Sequence, residues 1–138
     1  MSNNSSDTIT RGLRVVVHPF YLPEKSLPRH HQWVFGYRVT ITNEGDRPAQ
    51  VLGRHWIIID GEGKREDVKG PGVVGDTPLI EPGGTFSYVS FCPLGTPWGT
   101  MEGAYEVVFD DEERADIAIG RFYLNPASVT VPPAPEPV

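Results

Sequence analysis

Hydrophobic alternation is strongest between residues 33 and 41, where Trp33, Phe35, Tyr37, Val39 and Ile41 are interleaved with Val34, Gly36, Arg38 and Thr40. Apolar side chains at period two place one face of a strand on a core. Asn43-Glu44-Gly45-Asp46-Arg47-Pro48 supplies turn chemistry. The chain then re-enters an extended segment from Gln50 to Asp60, so the pattern predicts a hairpin with a loop of a few residues. Within that second segment, Trp56-Ile57-Ile58-Ile59 is apolar on both faces, as in a central strand.

The remaining apolar runs are short and bounded by turn residues. Leu13–His18 is closed by Pro19, and Thr85–Phe91 lies between Pro82-Gly83-Gly84 and Pro93. Ala104–Phe109 ends at the acidic turn Asp110-Asp111-Glu112-Glu113. A last strand carries Ile117, Ile119, Phe122 and Leu124; its phase slips by one at Gly120, which predicts a bulge there. A weaker strand spans Lys64–Val68. No window shows a helical apolar period. About seven short antiparallel strands with regular turns predict an all-β immunoglobulin- or fibronectin type III-like sandwich, with a small closed barrel as the alternative. Tyr105, after Met101-Glu102-Gly103, sits where a tyrosine corner would bond the upstream backbone.

Composition refines this picture. The chain has 138 residues, 15 glycines and 14 prolines, with glycine and proline scattered between the apolar runs as tight turns require. One domain is expected over 9–125, with a disordered N-terminus at 1–8 and a proline-rich disordered tail at 126–138. Cys92 is the single cysteine, so no internal disulfide forms and thiolate zinc sites are excluded. Twelve basic against 18 acidic residues give a net charge of −6, the wrong sign for a nucleic-acid binder. No run approaches the ~20 apolar residues of a membrane span, and the polar first residues do not resemble a secretory signal. A cytoplasmic protein is expected.

Several blocks occur in a characteristic order: Gly53-Arg54-His55-Trp56, Gly70-Pro71-Gly72-Val73-Val74-Gly75, Leu79-x-x-Pro82-Gly83, and Leu94-Gly95-Thr96-Pro97-x-Gly99-x-Met101-x-Gly103-x-Tyr105. With the closing Ile119-x-x-Phe122-x-Leu124 they make residues 10–124 resemble the bacterial ApaG family. The resemblance implies a fibronectin type III/immunoglobulin-like fold. It also implies an association with cobalt and magnesium efflux. In eukaryotes the same domain is joined to an F-box protein and to a polymerase-interacting protein, which implies an interaction module.

Candidate chemistry is sparse. Gly70-x-Gly72-x-x-Gly75 matches the dinucleotide fingerprint in letters, but Thr77-Pro78 and Pro82-Gly83-Gly84 follow, so no helix begins to receive a pyrophosphate. The loop reads either as a crossing between sheets or as an anion-binding nest, with Arg54 or Lys69 neutralising a phosphate. Arg54 and Trp56 share one strand face, read here as exposed at Arg54, and His55 points to the other, where a lone histidine reads as a satisfied core residue. His18, His30-His31 and His55 lack metal-ligand spacing, and the acidic turn at 110–113 reads as a solvated hairpin tip. Trp98, in Gly95-Thr96-Pro97-Trp98-Gly99, either anchors an interface or folds back on the sandwich edge. No nucleophile motif is present, so neither enzymatic activity nor a cofactor or bound metal is expected. The first expectation is a protein partner met by the 70–75 loop, the 95–99 loop and the surface around Arg54. The alternative is a phosphate or nucleotide ligand at Gly70, Gly72 and Gly75, with a downstream role in divalent-cation homeostasis.

Overall fold

The inward set read over 33–41 seats as expected except at Trp33, which is only partly buried. On the other face Val34 and Gly36 are buried, Val34 in a small second cluster with Phe20 and Leu22. Phe35, Val39 and Ile41 are fully buried and Tyr37 nearly so, within a strand Trp33–Asn43. The computed structural model describes residues 4–128, and over that span it holds nine strands. They are β1 (Ser6–Thr10), β2 (Leu13–Tyr21), β3 (Trp33–Asn43), β4 (Ala49–Asp60), β5 (Arg65–Pro71), β6 (Leu79–Ile80), β7 (Thr85–Leu94), β8 (Gly99–Phe109) and β9 (Arg114–Leu124). One sheet runs β1-β2-β3-β7; the other runs β5-β4-β8-β9, with β6 added beside β4. All pairs are antiparallel, and the two sheets form a sandwich rather than a closed barrel.

The expected hairpin between the first two strongly patterned strands does not form. β3 pairs with β2 and β7, whereas β4 pairs with β5, β6 and β8. Both strands carry a buried face, and the chain satisfies both by crossing from one sheet to the other so that those faces meet. Buried Asn43 holds the corner. Its Nδ2 donates to the carbonyls of Arg47 (2.8 Å) and Ile80 (2.9 Å), and its Oδ1 accepts from Gly45 N–H (3.0 Å). The sequence shows the same turn residues for a hairpin and for a crossing, because what differs is the partner of each strand.

The N-terminal boundary also moves. Residues 6–8, expected to be disordered, lie in β1, which pairs with β2 from Ser6↔Val17 to Thr10↔Leu13. Arg11 and Gly12 join the two strands with φ of 53° and 83°, the left-handed pair that matches the strand twist in a two-residue hairpin. β1 has little apolar pattern because its stability comes from backbone pairing. Pro126–Ser128 forms a single 3-10 turn, and the rest of the proline-rich tail lies outside the described residues.

β2 and β7 run through Pro19 and Pro93, where the sequence suggested they would end. Pro19 lies beyond the last residue that β1 covers, and β7 is an edge strand. Neither proline removes a ladder donor that a neighbour needs. The bulge predicted at Gly120 is present: Gly120 and Arg121 together oppose Glu102, between Met101↔Phe122 and Gly103↔Ile119. A second bulge, not foreseen, places Leu52 as an extra residue in β4 between Val51↔Val107 and Gly53↔Glu106. It shifts the inward phase from Val51 to Trp56.

The core centres on Trp56. Its ring lies 5.3 Å from Tyr37 and 5.9 Å from Phe122, both measured between centroids, with Tyr105 at 6.3 Å. These are edge-on contacts between strands of both sheets, a favoured aromatic geometry. Trp56 is buried, but Ile57, Ile58 and Ile59 are only half-buried. β4 is therefore central in the hydrogen-bonding order, while its outer face remains open to solvent.

At Gly103 the β4 backbone leaves no room for a side chain on β8. A Cβ there would lie 1.9 Å from the carbonyl oxygen of His55, a backbone atom that cannot rotate away. Gly103→Ala should cost about 1–3 kcal/mol, the usual range for overpacking, read as a fall in the urea midpoint at unchanged slope. An unchanged midpoint would show that the two strands are less tightly apposed.

Candidate functional site

The glycine loop is spent on its own structure. Val73 and Asp76 exchange both backbone hydrogen bonds (2.8 and 2.9 Å) around Val74 and Gly75, whose φ values are 44° and 80°. This is the mirror-image turn that requires left-handed residues at both central positions. Gly72 N–H donates to the Leu52 carbonyl (2.7 Å), and Val73 is fully buried in the core. The N–H groups of Gly72 and Val73, two of those that a nest over 70–75 would draw on, are thus committed within the protein. At Gly72 a Cβ would lie 2.2 Å from the carbonyl oxygen of Asp76, so the tight fold of the loop accounts for that glycine.

The two cations proposed to serve the loop point to opposite sides of the sheet. Arg54 Nη1 donates to the carbonyls of Pro71 (2.8 Å) and Gly72 (3.0 Å). The surface read as exposed around Arg54 is therefore half-buried, because Arg54 shares the inward face of Trp56 and acts as a latch on the loop. Gly70 leaves room for it, since a Cβ there would sit 2.9 Å from Nη2. Lys69 pairs in register with His55, one position along, and lines an outer groove of about 420 Å³ whose far wall carries Glu106 and Asp116. The structure thus joins Arg54, Gly70 and Gly72 and keeps Lys69 apart.

His55 is satisfied, though not in the core. It is half-exposed on the outer face and its Nε2 lies 2.8 Å from Asp67 Oδ2. Arg65 bonds both oxygens of Asp67, at 2.7 and 3.0 Å. Arg65 first, and then His55, hold the Asp67 carboxyl well below the usual carboxylate range. The acidic turn at 110–113 is matched by arginines. Arg47 reaches Asp111 (2.7 Å) and Glu113 (3.3 Å), and Arg11 reaches Glu113 (2.9 Å). Among the described residues, no group of three or more His, Cys, Asp or Glu is placed to hold a metal ion. No helix there is long and apolar enough to cross a membrane.

Two surfaces remain. The first surrounds Trp98, which is half exposed and lies over Gly61. Thr96 fixes this loop by accepting Gly61 N–H (2.8 Å) and donating to the Trp98 carbonyl (2.7 Å). Ile59, Thr100, Arg121 and Tyr123 complete a shallow basin of about 420 Å³. Tyr123 is 42% exposed, and Arg121 is anchored to Glu102 at 2.8 Å. The Gly120 bulge turns Tyr123 outward, but only the pairing of β9 with β8 and the fold of the 95–99 loop bring it beside Trp98.

The second surface is a cleft of about 280 Å³ between β7 and the β4–β5 edge, lined by Tyr37, Arg54, Trp56, Glu66, Ser90 and Cys92 among others. Behind it, the hydroxyls of Tyr88 and Tyr105 bond to each other across the sandwich. Tyr105 thus meets a side chain of the opposite sheet, and not the upstream backbone that a tyrosine corner would use. Burial pushes the Tyr37, Tyr88 and Tyr105 hydroxyls above the ordinary tyrosine value, and Arg54 partly opposes it. Burial also pushes the Cys92 thiol up to about 12.

All four groups hold their protons longer folded than unfolded, so stability falls as pH rises through their unfolded values. The loss should begin near pH ~8.5 for Cys92 and ~10 for the tyrosines, at about 1.4 kcal/mol per pH unit per group. Urea midpoints from pH 7 to 11 measure it, and in Cys92→Ala the portion between pH ~8.5 and ~10 should flatten. A level profile to pH 11 would contradict the burial of these groups.

Comparison with known proteins agrees with this architecture. The family model for the ApaG domain matches residues 23–109. Protein ApaG of Bordetella pertussis is 49% identical over 124 residues, covering 90% of this chain and 95% of that protein. Protein ApaG of Mesorhizobium japonicum is 47% identical over 117 residues, covering 85% and 90%. A crystal structure of a Bordetella pertussis protein superposes with a TM-score of 0.80 at 51% identity, over 82% of this chain and 92% of that one. A second crystal structure, a structural-genomics target, gives a TM-score of 0.80 at 35% identity, over 89% and 94%. With its sandwich, its ordered glycine blocks and this match over most of its length, the chain belongs to the ApaG family.

Proposed function

We propose that this domain is a cytoplasmic protein-interaction module without catalytic activity of its own, and that it meets its partner through the basin at Trp98. The observation that carries this reading is a tryptophan held half-exposed by a fixed loop. Thr96 ties the 95–99 loop to Gly61, so the Trp98 ring is ordered before any partner arrives. A rigid aromatic loses little conformational entropy on burial, and such residues anchor interfaces. Tyr123 and Ile59 extend the apolar surface, and the Arg121–Glu102 pair supplies a charged rim, the arrangement of an interface core bordered by polar groups.

The cobalt and magnesium efflux associated with bacterial relatives fits this reading as an effect exerted through the partner. The phosphate or nucleotide alternative is less well supported: the loop's N–H groups at Gly72 and Val73 are committed, and Lys69 lies on the other face from Arg54.

Capture from a lysate of the source cells, with quantification of each bound protein, tests the reading. Trp98→Ala and Tyr123→Ala should each lose a protein that the wild type and Lys69→Ala retain. Being exposed, these substitutions should change stability by less than about 1 kcal/mol. If every captured protein is retained by both aromatic variants, the Trp98 basin is not the interface.

A further inference from the structure

The two flanks of the sandwich are built differently. On one side β1 closes against β9: Ala118 N–H donates to Thr10 Oγ1 (3.2 Å) and Tyr123 N–H to the Asn4 carbonyl (2.9 Å). On the other side, among the described residues, β7 ends its sheet and is bonded only to β3, and β5 ends the other sheet. β7 is ten residues long and carries no charged side chain from Thr85 to Leu94. Long, uncharged edges are ones that proteins usually protect, because they present a row of free backbone donors and acceptors. Here Pro93, which has no N–H, ends the row of donors and leaves Thr85–Phe91 as the part open to pairing. Phe91, on this edge, is 54% exposed.

The cleft beside this edge is polarised. Arg54 stands at the level of Ser90 and Tyr88, with Trp56 and Val68 forming an apolar floor, and Glu66 stands at the far end near Cys92. Glu66 pairs with Ile58, four positions along β4 from Arg54. That separation is roughly 13 Å at the rise of a strand. The groove continues past Glu66 as a further 170 Å³ lined by Asp60, Lys64, Pro93 and Gly95.

We propose that the free edge of β7 receives an extended segment of a partner protein as an added antiparallel strand, with alternate side chains entering the cleft. Antiparallel to β7, the segment meets the Glu66 end first. Charge complementarity then sets its pattern: a basic residue, an apolar residue two positions later and an acidic residue four positions later. Backbone bonds to the edge hold the segment, and the alternate side chains select it. A second copy of this chain does not meet the pattern. Its own β7 has no charge to offer Arg54 or Glu66, and the inward residues of that strand are already part of its core. This site lies on a different face from the Trp98 basin and stands or falls independently of it.

The probe is a synthetic nine-residue peptide with Lys, Val and Glu at alternate central positions in that order and Thr elsewhere, titrated into the ¹⁵N-labelled chain. Amide shifts should concentrate in Thr85–Leu94 and at Val68. A peptide with Lys and Glu exchanged should bind at least about tenfold more weakly, as like charges then face each other. Glu66→Lys, a substitution at an exposed position, should reduce or reverse that preference, while Trp98→Ala should leave it unchanged. Absence of shifts at millimolar peptide, equal binding of both peptides, or shifts confined to the Trp98 basin would each overturn the proposal. So would concentration-dependent dimerisation that perturbs β7 without peptide, which would assign the edge to a second copy.

Discussion

The contact on which the rest of the molecule depends is the meeting of Trp56 with Tyr37, Phe122 and Tyr105 between the two sheets. Each ring comes from a different strand, and each strand can turn its ring inward only if its pleat is in phase at that point. The bulge at Leu52 sets the phase for Trp56, and the bulge at Gly120 sets it for Phe122. A slip of one residue in either strand would send the ring to solvent, since side chains alternate strictly along a strand. The two irregularities of the sheet are thus required by its most regular feature.

The same packing leaves an asymmetric surface. β1 covers the flank next to β9 with backbone bonds, so that side offers little to another chain. Among the described residues no strand covers the opposite flank, and the two sheets part there to form a cleft between β7 and β5. Arg54 lies on the inward face because it shares the phase of Trp56. It is drawn into fixing the glycine loop and brings a charge to the head of that cleft. The glycines of the 70–75 block answer the geometry of a tight crossing turn, and their likeness to a nucleotide fingerprint comes from the demands that any close backbone approach makes on a chain.

Much of this was legible in the sequence. Period-two alternation marked the β3 core face, turn residues marked the strand limits within a few positions, and the phase slip at Gly120 marked a bulge. Trp98 stood out because a large aromatic lay among glycine and proline. Other elements carried no local signal. β1 is polar and forms through pairing with β2, while Tyr88, Ser90 and Glu66 gain meaning only from the strand each faces.

By itself the sequence determined an all-β chain and much of the core face of its strongly alternating strands, because alternation and turn chemistry are local properties of a strand; the burial of Val73 and the phase of Trp56 lay beyond it. It did not determine which strands pair. The segment from 43 to 48 serves a hairpin or a crossing equally well, and the choice rests on where the buried faces of β3 and β4 find a partner. Only the tertiary structure decided that these faces meet across the sandwich. The inward turn of Arg54, the commitment of the Gly72 and Val73 N–H groups, and the position of β7 at the end of its sheet among the described residues all follow from that choice.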